Sequence, residues 1–119
     1  MRVCYVLLSS TFGMHQYTSD PANQMARAGH DVHLVTTTHA RRDRYVPEVS
    51  IHTPVETTNT GFSLESLRLP ALRRALTAVC DLRPDIVHFG GPHFWNVLLI
   101  RWLKERGIPV VHTIHDLDP

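Results

Sequence analysis

Apolar positions along the chain fall into short continuous runs, separated by longer stretches with helical spacing. Val3 to Leu8 is almost wholly apolar, the pattern of a strand buried on both faces. A helical stretch follows from about Met14 to Ala28, with Met14, Tyr17, Pro21, Ala22 and Met25 on one face and Gly29 as its stop. Val32 to Thr36 predicts a second strand. Val49 to Val55 alternates, and Pro54, which has no amide hydrogen for a ladder, puts this third strand at a sheet edge. Ser63 to Leu82 has helical periodicity, clearest in Leu72, Ala75, Leu76 and Val79, with Pro70 dividing a short turn from the main helix. Asp85 to Phe89 predicts a fourth strand and Gly90-Gly91 a turn. A third helix is expected from Pro92 to Arg106, burying Trp95, Leu98, Leu99 and Trp102 and closed by Gly107. Val110 to Ile114 is the fifth strand.

Pro21 is a local conflict, because within a helix its ring meets the carbonyl of Tyr17. Either the helix is kinked but continuous, or it starts at Ser19 or Asp20 with Pro21 in its first turn. The apolar stripe that Met14 and Tyr17 share favours the continuous helix.

Alternating strands and helices imply an α/β domain, a Rossmann-like doubly wound parallel sheet of about five strands with helices on both faces. Right-handed crossovers make 3-2-1-4-5 the simplest order. The order then reverses between strands 1 and 4, and ligands bind at such a switch point, beyond the carboxyl ends of the strands. Three segments converge there: Ser9 to Gly13, Phe89 to His93, and His115 to Asp118.

Composition narrows the function classes. At 119 residues the chain is one domain, 1-119. A net charge of +1 gives no reason to expect nucleic acid as partner. The basic residues do cluster, at Arg41, Arg42 and Arg44, at Arg68, Arg73 and Arg74, and at Arg101, Lys104 and Arg106. Solvated faces account for such clusters; a peripheral contact with an anionic membrane is the sharper reading. Cys4 and Cys80 have no metal or redox spacing and read as small buried hydrophobes in a reducing compartment. No leader is expected before the strand that opens at Met1, and the longest aliphatic run, Val97 to Ile100, is far too short to span a bilayer. The expected location is cytoplasmic, with any membrane contact peripheral, at the inner face.

The chemistry sits in the loops. A single glycine after strand 1, and Thr36-Thr37-Thr38 where a ribose-binding acid belongs, argue against a dinucleotide. Ser9 to Gly13 suits either an anion held at a helix N-terminus or a tight turn that needs Gly13. The chain has nine histidines. His112 and His115 are three apart on a strand and face opposite ways, and His88 and His93 have no Cys or carboxylate at ligand spacing, so no metal is expected. His115 stands out, ending a central strand beside Asp116 and Asp118, where a histidine can act as a base or hydrogen-bond an incoming hydroxyl. As the strand tip it is expected to reach solvent, with Val111 and Ile114 packed beneath it.

Four segments resemble the N-terminal, acceptor-side domain of GT-B fold glycosyltransferases of family 4, which are retaining and nucleotide-sugar dependent. Met1 to Ser9, with Gly13 in the next loop, is similar to the opening strand and glycine loop. Ala26-Arg27-Ala28-Gly29-His30-Asp31-Val32-His33-Leu34-Val35-Thr36 resembles the family's A-x-x-G-H-[DE]-V-x-[VL]-[VL]-T passage and is the most specific. Arg83-Pro84-Asp85-Ile86-Val87-His88 resembles [KR]-P-D-[IV]-[VI]-H, and Pro109 to Asp118 resembles P-V-V-x-T-x-H-x-x-D. Together they span the chain in family order. Two departures are a lone Gly13 where the family has adjacent glycines, and Pro21 in place of an ordinary helix residue.

The resemblance implies roles. Phe12 and Gly13 approach donor phosphate and acceptor, and His115 sits beside the reacting sugar as the catalytic residue. His88, Gly90 and Gly91 line the acceptor cleft, and Asp118 joins the substrate-binding set. It implies no metal and no tightly held cofactor, a nucleotide sugar as donor in the complete enzyme, and a sugar or lipid-linked acceptor. Family members continue into a second, nucleotide-binding domain, so the chain is expected to be inactive without a C-terminal donor-binding domain or chain. The third helix is apolar nearly all round and strand 5 has an open edge, which together predict a partner or a homo-oligomer. The competing class is a non-catalytic, flavodoxin-like binding module or excised folding unit, since Ser9 to Gly13 loosely resembles a flavin mononucleotide phosphate loop.

Overall fold

The computed structural model describes residues 1–8, 14–38, 42–55, 69–90 and 96–112. Their order is β1 (Arg2–Leu7), α1 (Met14–Arg27), β2 (Asp31–Thr37), a 3₁₀ turn (Arg42–Arg44), β3 (Ser50–Val55), α2 (Leu69–Leu82), β4 (Ile86–Phe89), α3 (Asn96–Glu105) and β5 (Val110–His112). All strand pairs are parallel, and the sheet order is β3-β2-β1-β4-β5, as the alternating pattern implies. The fold is Rossmann-like. β1 is central because Val3 to Leu8 is apolar on both faces; each of those side chains is buried.

The two faces are covered by different helices. Val3, Tyr5, Leu7, Val32 and Leu34 pack with Ala22 and Ala26 of α1. Cys4, Val6, Val35, Val87 and Phe89 pack on the other face with Ala71, Leu72, Ala75 and Val79 of α2 and Leu99 and Leu103 of α3. The right-handed crossover dictates this split: β1-to-β2 winds one way along the sheet, and β3-to-β4 and β4-to-β5 wind the other.

Helix boundaries follow local chemistry. α1 continues through Pro21, so Ser19 and Asp20 lie inside it rather than at its start. It ends at Gly29 with φ of 93°, where the Gly29 amide donates to Ala26 and the His30 amide to Met25. Pro70 is the second residue of α2, in the first turn where a missing amide hydrogen costs nothing. Residues 63–68, the short turn expected before it, lie outside the described residues. β3 is an edge strand, and its register against β2 slips between Val35↔His52 and Thr37↔Val55, so the extra residue falls beside Pro54.

Four expectations need correction. Leu98 and Trp102 are half-buried, not buried; the stripe of α3 that meets the sheet is Asn96, Leu99 and Leu103, at helical spacing. Trp95 lies outside the described residues. Cys80 is half-buried against the core, whereas Cys4 is fully buried and its thiol is pushed up to about 12 by burial. Val111 is 43% exposed, because it faces the α1 side of the sheet, where α1 packs chiefly on β1 and β2. Ile114 is outside the described residues. Among the described residues no helix is long and apolar enough to cross a membrane.

Candidate functional site

The switch point of this sheet lies between β1 and β4 at their carboxyl ends. Of the residues read from the sequence as site residues, His88 and Gly90 are described there. Phe12, Gly13, Gly91, His115 and Asp118 lie outside the described residues, as does the rest of the loops that hold them.

His88 is the third residue of β4. It stands in register between Tyr5 and Val111, on the α1 face. Its ring stacks on that of Tyr5, with centroids 5.2 Å apart and planes 27° from parallel. His88 thus stands near the carboxyl end of β4 rather than at its tip. Burial raises the pKa of the Tyr5 hydroxyl above its ordinary value.

Gly90 follows β4 and is buried. Its amide donates to Val6 O at 3.0 Å, which extends the β1–β4 ladder by one bond. A Cβ there would stand 2.8 Å from Thr18 Oγ1 and 3.6 Å from a methyl of Leu7. Only glycine lets α1 lie this close to the β4 tip. Asn96, at the start of α3, is buried and points its side-chain amide at Gly90 O, 3.5 Å away.

Buried polar side chains thus collect at this end of the sheet: Thr18 and Ser19 from α1, Thr36 and Thr37 from the end of β2, and Asn96 from α3. The Thr36 and Thr37 hydroxyls are buried without a hydrogen-bond partner among the described residues. Sequence reasoning missed Thr18 and Asn96. Asn96 did carry a signal, as a polar residue at three- and four-residue spacing from Leu99 and Leu103. In the sequence, Thr36 and Thr37 stand out only as replacing an acidic residue.

A second polar group lies on β2 and β3, nearer the amino ends of the strands. His33 Nε2 is 2.9 Å from Asp31 Oδ1, and Arg2 Nε is 2.7 Å from Asp31 Oδ2. Hydrogen bonds from Arg2, then His33, hold the Asp31 carboxyl below its ordinary value. His33 Nδ1 and His52 Nε2 are 3.0 Å apart, while the ring centroids are 5.2 Å apart. The centroid distance exceeds the nitrogen distance by about two ring radii, so the nitrogens face each other along the line of centres. That geometry fits one proton shared in line. A tetrahedral metal would need the two lone pairs to converge off that line. Among the described residues, no group of three or more His, Cys, Asp or Glu is placed to hold a metal ion.

Comparison with known proteins agrees with this architecture. The C-terminal domain of a hydrogenase from Pyrococcus furiosus superposes with a TM-score of 0.66 at 14% identity, covering 95% of this chain and 91% of that one. At that identity the likeness is one of fold. No curated protein matches. The model of Glycosyltransferase Family 4 matches residues 13–119. That span contains the Gly29-to-Thr36 passage, the Arg83-to-His88 strand and the Pro109-to-Asp118 strand end. The chain belongs to Glycosyltransferase Family 4.

Proposed function

We propose that this chain is the acceptor-side half of a nucleotide-sugar-dependent glycosyltransferase of the GT-B type. It transfers sugar only when a C-terminal donor-binding domain or chain completes the cleft. The observation that carries this reading is the family match over residues 13–119. The strand order supports it, because its switch point lies at the carboxyl ends of β1 and β4, where ligands of such sheets bind.

In this reading Phe12, Gly13, His88, Gly90, Gly91 and Asp118 bind substrate, and His115 acts on the acceptor hydroxyl. Reaction requires the acceptor hydroxyl to be held against the donor's anomeric carbon, and that positioning supplies much of the rate. The donor is the nucleotide sugar, the acceptor a sugar or lipid-linked sugar, and neither a metal nor a tightly held cofactor takes part. The protein works in the cytoplasm, at or near the inner membrane face.

The test is reconstitution with the donor-binding domain of a Family 4 enzyme, assayed by sugar transfer to acceptor. The chain alone gives none, and the pair does. His115→Ala lowers turnover of the pair by roughly two to four orders of magnitude, the scale of a general acid–base group. Its far-UV circular dichroism stays that of the parent. Transfer by the isolated chain, or full turnover by the His115→Ala pair, defeats the proposal. Flavin fluorescence in the purified chain would instead favour the binding-module reading.

A further inference from the structure

We propose that His33 and His52 form a two-coordinate site for copper(I), supported from behind by Asp31. Alternation along β2 places His33 on the same face as Val35, the α2 face, and His52 is the register partner of Val35 on β3. Nδ1 of His33 and Nε2 of His52 are 3.0 Å apart and point at each other along the line that joins the ring centres. Copper(I) and silver(I), when held by two nitrogens, take them at opposite ends of a line. The pair therefore already has the direction that such an ion requires. A divalent ion such as zinc needs four ligands in a tetrahedron. It finds too few here, because among the described residues no group of three His, Cys, Asp or Glu is placed to hold a metal ion.

Asp31 sets the protons of the pair. His33 Nε2 is buried and 2.9 Å from Asp31 Oδ1. The ring proton belongs on that nitrogen, because a lone pair facing a carboxylate oxygen would be repelled. His33 Nδ1 is then a lone pair aimed at His52. Without a metal, His52 Nε2–H donates to it. With one, His52 carries its proton on Nδ1 instead, so both facing nitrogens offer lone pairs and no net proton leaves. A carboxylate on the far nitrogen of a ligating histidine fixes the tautomer and raises the basicity of the ligand. Imidazole–metal bonds of about 2 Å set the two nitrogens about 4 Å apart, so the pair opens by about 1 Å from its 3.0 Å separation. β3 has the slack for that: it is an edge strand, and its register against β2 slips just beyond His52. The His52 ring is half-buried, so an ion reaches it from solvent. Cys4 is the register neighbour of His33, but burial pushes its thiol up to about 12, which disfavours it as a ligand.

The test uses the whole chain and needs neither donor nor acceptor, so its failure leaves the transferase reading untouched. Silver(I) nitrate in chloride-free buffer, and copper(I) under argon against a chromogenic copper(I) chelator, are titrated into the protein. One ion binds per chain. The NMR signals of the His33 and His52 ring nitrogens move while those of the other histidines stay, and X-ray absorption shows two nitrogen neighbours in line. His33→Gln and His52→Gln each abolish the binding, with far-UV circular dichroism unchanged. Asp31→Asn keeps the site and weakens it roughly 10- to 100-fold, the scale for a hydrogen-bond partner behind a ligating histidine. Zinc(II) binds more weakly than either monovalent ion. If a histidine variant lost its fold, the nitrogen shifts of the parent chain would still decide. The proposal is overturned by an absence of binding, by binding that survives His52→Gln, or by zinc(II) held as tightly as silver(I). A sulfur neighbour in the absorption spectrum also overturns it, since that assigns the ion to Cys4 or Cys80.

Discussion

Gly90 has no room for a methyl group, because Thr18 Oγ1 would stand 2.8 Å from it. Both groups are buried, and the side chain is backed by α1. Gly90→Ala is therefore expected to cost about 1–3 kcal/mol, the range for forcing an extra methyl into a packed site. Thr18→Ala in the same chain should return most of that loss, whereas Thr18→Ser, which keeps the oxygen, should return little. Urea unfolding of the three variants measures it, and equal stability of the single and double variants would remove the steric account. A glycine at the β4 tip was readable from the sequence as a turn. Its partner was not, since Thr18 is 72 residues away and nothing local ties a threonine in a helix to a distant strand end. The His33–His52 pair was missed for the same reason. Ligand spacing along the chain does not show it, because the two imidazoles meet across neighbouring strands.

The elements themselves were largely legible, because periodicity and end signals agree at almost every boundary. Two of the three helices end on a glycine with positive φ, Gly29 at 93° and Gly107 at 76°. α2 ends instead on Arg83, with φ of 50° and its amide donating to Cys80 O. Pro84 follows, so no further amide can close the end. An arginine held in that conformation is strained by about 1–2 kcal/mol. Arg83→Gly should raise stability by about 0.5–1 kcal/mol, the balance of released strain and added freedom in the unfolded chain. A thermal melt reads it as a rise in Tm; a fall would mean that the Arg83 side chain contributes more than its backbone costs. The least legible element was α3. Its apolar residues occupy every side, so periodicity could not choose between Leu98 and Leu103 as the core face. The choice is made by the sheet, which takes Leu103.

At the scale of the whole molecule the two ends of the sheet differ. The carboxyl ends meet buried hydroxyls, while the amino ends are tied by charge. Arg2 reaches Asp31 on β2 and Leu82 O at the end of α2, and its amide donates to Asp85 Oδ2, 2.7 Å away just before β4. Beside this clasp, burial first and the His33 charge second lower the pKa of His52 below its ordinary 6.5. The unfolded chain then binds more protons than the folded one as pH falls through 6.5, so that part of the stability is present above this value and lost below it. Asp31 adds a second loss below 3.8, where its depressed carboxyl finally protonates. Urea midpoints across this range should fall in both windows, and His52→Gln should remove the upper decline; an unchanged decline would assign it to another group.

The strand order carries a consequence for how the chain is made. β1 lies at the middle of the sheet, and its Val3 pairs on one side with Val32 and on the other with Ile86. The first partner emerges from a ribosome soon after β1, but the second follows it by 83 residues. At about 5–20 residues per second, β1 waits roughly 4 to 17 s with an unpaired apolar edge. Until residues 69–82 are made, Cys4, Val6 and Val35 lack the cover of α2, and that of α3 comes later still. The nascent chain is therefore a target for chaperones or for misassembly in proportion to how slowly residues 36–86 are added.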